Sequence, residues 1–460
     1  VKKSVLTGIV IFAAGIGLAA CTPDESSDSV STEYTKEFYN PILPDGADPW
    51  MTKHEDTYIY THTTGSNITI WQSDSPTSMM NAESKVVWEP TPGTENSQNI
   101  WAPEIHFIDG KWYVYYAADG GGSQHRMYVL ESENEDPFSE YTDVGQITDP
   151  TDKWGIDGTV IDQDGELFYV WSGWEGDENV SQHTYIAGME SPKELNTDRV
   201  ELSRPEYDWE MEGGEPSINE GPQILYTEDY IHIVYSASGS WSDFYKLGIL
   251  TAEKNADLLD PDSWTKQEDP VFQSGNNVFG PGHASFVESP DSSEQWIVYH
   301  AAKEQGSGWT RNVRMQPFEI NEDGFPEFGE PVPVTEPLPL PAGDPVNITK
   351  YTPEDIETEG EMTDEGILAE TDQSLTIQYD APEAGEYYLY LYWRSNGAVT
   401  VNGSTDSGDT FTFFNNNQGL QDEPLAVSSY RLNLEEGENT VELSVTNGTF
   451  DLDHIEMKDH

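Results

Sequence analysis

Cysteine is nearly missing from this 460-residue chain, where Cys21 is the only one. No internal disulfide can form, even in a compartment that would permit one. Basic residues are also scarce, with 21 Lys+Arg against 85 Asp+Glu and a formal charge of −64. That balance argues against a protein that grips nucleic acid through a broad basic surface, because the phosphate backbone demands Lys and Arg. It also disfavours electrostatic docking to anionic lipid. Beyond the N-terminus no stretch is long and apolar enough to read as a membrane span. Aromatic residues are plentiful: 14 Trp, 24 Tyr and 16 Phe set the chain apart from disordered acidic tails. The composition is that of a folded protein with an acidic surface, in roughly two to three domains by length. So much like charge opposes compaction unless salt screens it, and a salt-adapted, halophilic source is expected.

The N-terminus reads Val1-Lys2-Lys3, then an apolar run to Ala20, then Cys21. A basic start, an apolar run and small residues before a cut site make an export signal. The segment Leu18-Ala19-Ala20-Cys21 resembles the lipobox of bacterial lipoproteins. That resemblance implies a signal peptide over residues 1–21, lipidation of Cys21, and anchoring at the cell surface or periplasmic face of a bacterial membrane. An ordinary signal peptide with a stray cysteine is the alternative. Residues 22–38 are rich in Ser, Thr, Asp and Glu and read as a flexible acidic tether.

Five short aromatic and β-branched segments recur along the chain: Thr57–Thr63, Trp112–Ala118, Leu167–Gly173, Ile231–Ala237 and Gln295–Ala301. Their starts lie 55, 55, 64 and 64 residues apart. Each has strand propensity and follows a turn such as Asp109-Gly110 or Asp164-Gly165. The period fits a four-stranded blade plus loops, so an all-β, five-bladed β-propeller is expected over residues 39–335.

A chemistry-bearing residue precedes each copy. Asp48, Glu104, Asp157, Glu220 and His283 stand 9, 8, 10, 11 and 12 residues before their strands. Equivalent positions in blades around one axis converge, so four carboxylates and one imidazole should face one central pocket. Converging acids suit glycoside hydrolysis, in which one protonates the leaving oxygen and another activates water or attacks the sugar. A third shifts the pKa of the acid, since like charges disfavour ionisation. Trp50, Trp101 and Trp171 lie close enough in sequence to supply aromatic faces for a sugar.

The stretches Ala47–Trp50, Ile100–Phe107, His125–Glu131, Ile156–Thr159, Asn219–Pro222, Gly280–His283 and Arg311–Gln316 occur in the order found in glycoside hydrolase family 43, which this region resembles. The resemblance implies Asp48 as general base, Glu220 as general acid, and Asp157 as the carboxylate that tunes and orients that acid. It implies inversion at the anomeric carbon, a central cation, often calcium, held at His283 partly through waters, and a substrate contact at Arg314. Trp101, Glu104 and Trp171 are the other candidate substrate contacts, by their place in sequence. A salt bridge is the alternative reading of Arg314. The phrases Trp101–Ala118, Arg204–Trp209 and Ser236–Trp241 resemble the exo-acting α-L-arabinofuranosidase branch. Arabinan, arabinoxylan or arabino-oligosaccharides would be the substrates. A β-xylosidase of the same family and a non-catalytic glycan-binding lipoprotein are the competing readings.

Six prolines between Pro331 and Pro345 suggest a stiff connector or a sheet edge, with the linker placed over 336–345. Residues 346–460 read as β throughout and fit a jelly-roll sandwich. The phrases Pro382–Tyr387 and Asp451–Met457 resemble carbohydrate-binding modules of families 6 and 35. Tyr392, Trp393 and Asn396 are the candidate sugar contacts there, although one of the first two must face the core, since strand neighbours point to opposite faces. A structural sandwich that packs on the propeller is the alternative.

Overall fold

The computed structural model describes residues 34–394, 397–415 and 425–459. Cys21, the export signal, Asn396 and most of the acidic stretch lie outside them. The described residues form strand after strand, with helical turns of only three to six residues. None of those turns is long and apolar enough to cross a membrane.

Each aromatic segment forms the second strand of an antiparallel set. The first strands of the five sets are Trp50–His54, Gln98–Ile108, Gly155–Gln163, Ser217–Tyr226 and Phe279–Glu288. A short parallel pairing of Ser181 and Gln182 with Ser217 and Ile218 ties the third set to the fourth. The second strands are buried on both faces, as in Tyr58-Ile59-Tyr60 and Val114-Tyr115-Tyr116. They read as continuous apolar runs because a packing partner covers each side.

The apolar cores show what those partners are. One core joins the first set to the second through Ile59, Ile70, Trp112 and Val114. Another joins the second to the third through Tyr115, Val129, Tyr169 and Trp171. A third joins the third to the fourth through Phe168, Val170, Ile233 and Tyr235, and a fourth joins the fourth to the fifth through Val234, Ile249, Ile297 and Tyr299. The last brings the fifth back against the first through Trp296, Val298, Tyr58 and Tyr60. The first strands likewise touch in succession, and Phe279–Glu288 returns to Trp50–His54. The five antiparallel sets, the third and fourth joined in one sheet, thus close a ring around their first strands.

Two expected connectors are structured. Glu37–Tyr39 is a strand paired with Pro337–Pro339, so residues 34–38 are not tether, and the Pro-rich run takes the edge reading rather than that of a bare connector. Phe38 and Leu338 are buried and outweigh the polar composition around them. Proline fits the second strand because it sits at the edge of a two-stranded sheet, where no ladder donor is needed.

Beyond Pro345 lie two sheets. One contains Gly366–Glu370, Gly385–Arg394, Ala426–Leu434 and Thr449–Asp459, and the other Ser374–Ala381, Val399–Thr405, Thr410–Asn415 and Gly437–Asn447. Their facing sides share a core that includes Leu389, Leu391, Trp393, Leu443 and Ile455. The outer side of the first sheet packs on the ring through Tyr39, Val334, Tyr390, Tyr392 and Val427. Asn81 fastens that contact: its amide donates to Tyr390 and its oxygen accepts from Ser429. Trp393 and Tyr392 do point to opposite faces, but both faces are covered, and the two residues are 8% and 1% exposed. Neither offers a surface to a sugar.

Candidate active site

The first strands do not run straight. In the second to fifth sets the pairing with the next strand breaks register, between Trp101 and Glu104, Ile156 and Thr159, Glu220 and Gln223, and Gly282 and Ser285. A left-handed residue lies at each break: Ala102 at φ 42°, Asp157 at 57°, Gly221 at 54° and His283 at 46°. In the first set Asp48, at φ 57°, takes this place just before the strand. Such bulges turn a side chain out of the ladder's alternation. For a residue with a Cβ the conformation costs of order 1–3 kcal/mol, and such strain gathers at functional sites.

Asp48 is the hub of one network. Its Oδ2 accepts from the Thr63 hydroxyl at 2.6 Å, and Thr63 in turn accepts from the Ala102 amide at 2.7 Å. His283 Nδ1 lies 3.3 Å and Arg311 Nη1 3.7 Å from Oδ1. The Asp48 amide donates to His300 Nδ1 at 2.9 Å, which makes that nitrogen an acceptor. His300 is held neutral by burial and by the charges of Arg311 and His283. The 3.5 Å approach of its Nδ1 to Asp48 Oδ1 is therefore not an ion pair. The Asp48 side chain keeps 19% exposure, enough for a small molecule to reach it.

Glu220 belongs to a second network. Its Oε1 accepts from the Tyr245 hydroxyl at 2.9 Å. Burial pushes its carboxyl up to about 7, and the Asp48 charge adds to the rise. Hydrogen bonds from Tyr245 and Ser240 and the charge of Arg311 oppose it. Asp157 is buried, and its Oδ2 accepts from the Gly221 amide at 2.9 Å. Burial, then the charges of Glu220 and Asp48, hold it well above the usual carboxylate range. Two such neighbours do not both ionise at neutral pH, so the pair keeps a proton.

The other expected residues divide. Glu104 is 1% exposed and bonded to Gln223 and to His106 at 3.0 Å. It reaches the site through its charge, which acts on Asp157 and His283. Trp101 is 37% exposed and stacks on His125 at 3.8 Å. Trp171 is core rather than a sugar contact. It fills the space left by Gly155 and Gly173 and packs beside Tyr185 and Met127. Trp50 donates to the Ile105 carbonyl and packs at a tilt against His106, between the first two sets. Arg314 is buried and bonds Asn312 at 2.8 Å. Arg311 is the arginine at Asp48, because residues three apart on a strand face opposite ways. Thr63, Tyr245, His300 and Arg311 were not singled out from sequence. Thr63 and His300 do end or nearly end aromatic copies, whereas Tyr245 carries no such mark.

The expected cation at His283 finds few protein ligands. Among the described residues no group of three or more His, Cys, Asp or Glu is arranged to hold a metal. Calcium wants six to eight oxygens, while His283 offers one ring and its nearest carboxylate is already held by Thr63. These donors do not fit direct coordination of calcium, and no step below uses one.

The family described as Glycosyl hydrolases family 43 matches residues 38–326, which span all five sets. The chain is similar to the extracellular exo-α-(1→5)-L-arabinofuranosidase of Streptomyces avermitilis, 34% identical over 336 residues, or 70% of this chain and 69% of that one. It spans about two thirds of the length of several curated relatives. Among solved structures it is similar to an α-L-arabinofuranosidase from Lactobacillus brevis, with 37% identity and a TM-score of 0.60, over 65% of this chain and 98% of the other. An exo-β-1,3-galactanase from Phanerochaete chrysosporium shares 14% identity at a TM-score of 0.52, over 92% of this chain and 100% of the other. That likeness speaks for the fold alone, across both the ring and the C-terminal sheets.

Proposed function

The chain belongs to glycosyl hydrolases family 43, and from that premise we propose that it is an inverting enzyme releasing terminal α-L-arabinofuranose from arabinan or arabinoxylan. The relatives named as arabinofuranosidases support the sugar. The observation that carries the chemistry is the buried Glu220 carboxyl, pushed up to about 7 beside the Asp48 carboxylate.

In this reading Glu220 gives its proton to the glycosidic oxygen as the bond to the anomeric carbon breaks, and the bonding pair leaves with that oxygen. Asp48 takes a proton from the water that attacks the anomeric carbon from the opposite face, which inverts it. Thr63 and Arg311 aim the Asp48 carboxylate. Asp157 positions the acid by gripping the amide that follows Glu220. Trp101 offers its open face to the sugar bound between the acids.

The five sets are read as the blades of a propeller, supported by the closed ring of inter-set cores. The C-terminal sheets are read as a jelly-roll sandwich related to carbohydrate-binding modules. Export and a lipid anchor at Cys21 complete the proposal, the first supported by relatives named extracellular.

The experiment is hydrolysis of α-1,5-arabinobiose, 4-nitrophenyl α-L-arabinofuranoside and the matching β-D-xyloside. Asp48→Asn is expected to lower kcat on both arabinosides by about 10²–10⁴. Glu220→Gln should do so on arabinobiose and less on the nitrophenyl glycoside, whose leaving group departs without a proton. Faster turnover of the xyloside would overturn the sugar assignment. No hydrolysis at all would leave glycan binding as the function.

A further inference from the structure

Trp309 is the most exposed tryptophan among the described large hydrophobics, at 67%. Its loop is fixed rather than loose. The Gly306 amide donates to Asp243 Oδ1 at 2.9 Å, the Lys303 amide to the Thr310 carbonyl at 2.9 Å, and Lys303 pairs with Asp45. The indole is pinned as well, with Nε1 donating to Ser240 Oγ at 3.3 Å.

Ser240 gives this position chemical meaning. Its side chain lies near enough to Glu220 to lower that carboxyl's pKa, and its carbonyl accepts from Arg311, whose other arm lies 3.7 Å from Asp48. One serine therefore stands between the exposed indole and the carboxyl assigned as acid. A general acid marks the leaving-group side of the broken bond, because it protonates the departing oxygen. Past Gly306 the surface opens into a cavity of about 630 Å³, walled by Phe244, Phe279, Lys246 and Ser274. Phe244 is 50% exposed. Trp101, by contrast, stacks on the second set through His125.

We propose that Trp309 is the platform for the sugar ring on the leaving side of the scissile bond, with the adjoining cavity taking the residues that follow it. This rests on the arabinofuranosidase reading. A pre-ordered indole offers a flat apolar face to the C–H face of a furanose at little entropic cost, since its loop and its ring nitrogen are already held. The occupant is a neutral arabinosyl chain. Phe244 and Phe279 supply apolar walls for it, and only Lys246 among the lining residues carries positive charge.

The test compares substrates that differ only beyond the broken bond. In methyl α-L-arabinofuranoside the leaving group is one carbon, whereas in α-1,5-arabinobiose and -triose it is a sugar. Trp309→Ala is expected to lower kcat/KM on the oligosaccharides about tenfold, through KM for the triose, and to change the methyl glycoside less than twofold. Trp309→Phe should restore most of the loss. An unchanged melting temperature checks that the exposed site was altered without unfolding. Equal losses on both substrate types would overturn the proposal, since Trp309 would then merely hold Ser240 and Glu220. No loss on the oligosaccharides would overturn it too. Absence of wild-type activity on every arabinoside would overturn the underlying reading instead, and the proposal with it.

Discussion

Glu220 is the residue on which chemistry and stability meet. Its folded carboxyl sits near 7, above the ordinary glutamate value of 4.5, chiefly because burial penalises the charged form. A raised carboxyl in the folded state stabilises fully below the unfolded value, and that contribution is lost as pH rises from about 4.5 through 7. Glu220→Gln keeps the shape and never ionises. It is therefore expected to leave the melting temperature near wild type at pH 4 and raise it at pH 8, by an energy of about 2–3 kcal/mol. Thermal melts of both proteins across that range check this, and equal curves at pH 8 would contradict it. At this scale the sequence carried the acids well, since Asp48, Asp157 and Glu220 sit in Gly- and Pro-flanked segments at matching offsets. It carried their partners poorly. Arg311 and Arg314 belong to one phrase, and only strand pairing reveals which of them faces Asp48. Trp171 looked like a sugar contact because nothing in the phrase shows the space left by Gly155 and Gly173.

At the scale of the element, the bulged first strands do the positioning. Gly221 shows how tightly. Its φ is +54°, its amide holds Asp157, and a Cβ there would lie 3.0 Å from His283 Nδ1. Gly221→Ala is expected to lower kcat by at least tenfold, since catalytic groups displaced by an ångström lose about that much or more, and to destabilise the fold by about 1–3 kcal/mol. Steady-state kinetics with a denaturation curve measure both. Wild-type rates would show that the bulge does not set the acid's place. The second strands were readable because burial on both faces leaves an aromatic and aliphatic run. Short outer strands such as Thr265–Lys266 and Pro326–Glu327 have no such mark, being only two residues long at a sheet edge. Glu37–Tyr39 hid inside an acidic stretch, where composition outvoted one buried phenylalanine.

At the scale of the whole molecule, the 21 basic residues cannot pair most of the 85 acids. Several ion pairs that do form lie at exposed carboxylates, as with Lys153–Asp177 and Lys303–Asp45, where such pairs contribute little. The compact state therefore carries unscreened repulsion at low ionic strength. The melting temperature is expected to rise by about 5 °C or more from 0.01 M to 1 M NaCl. A flat or falling curve would mean that the acidic surface needs no salt. The C-terminal sheets lay open to sequence as strands, and packing on the ring was one of two readings, but the residues that dock were not legible. Tyr392 is silent about its partners until His454 is seen stacked on it and Tyr39 tilted against it.

The central assignment places a protonated Glu220 and a water-activating Asp48 on opposite faces of one arabinofuranosyl bond. ¹H NMR of the sugar first released from α-1,5-arabinobiose, recorded before mutarotation, tests it most directly. β-L-arabinofuranose is expected as the first product from wild type, with none from Glu220→Gln on the same timescale. The α-anomer appearing first, or equal release by the variant, would contradict the assignment.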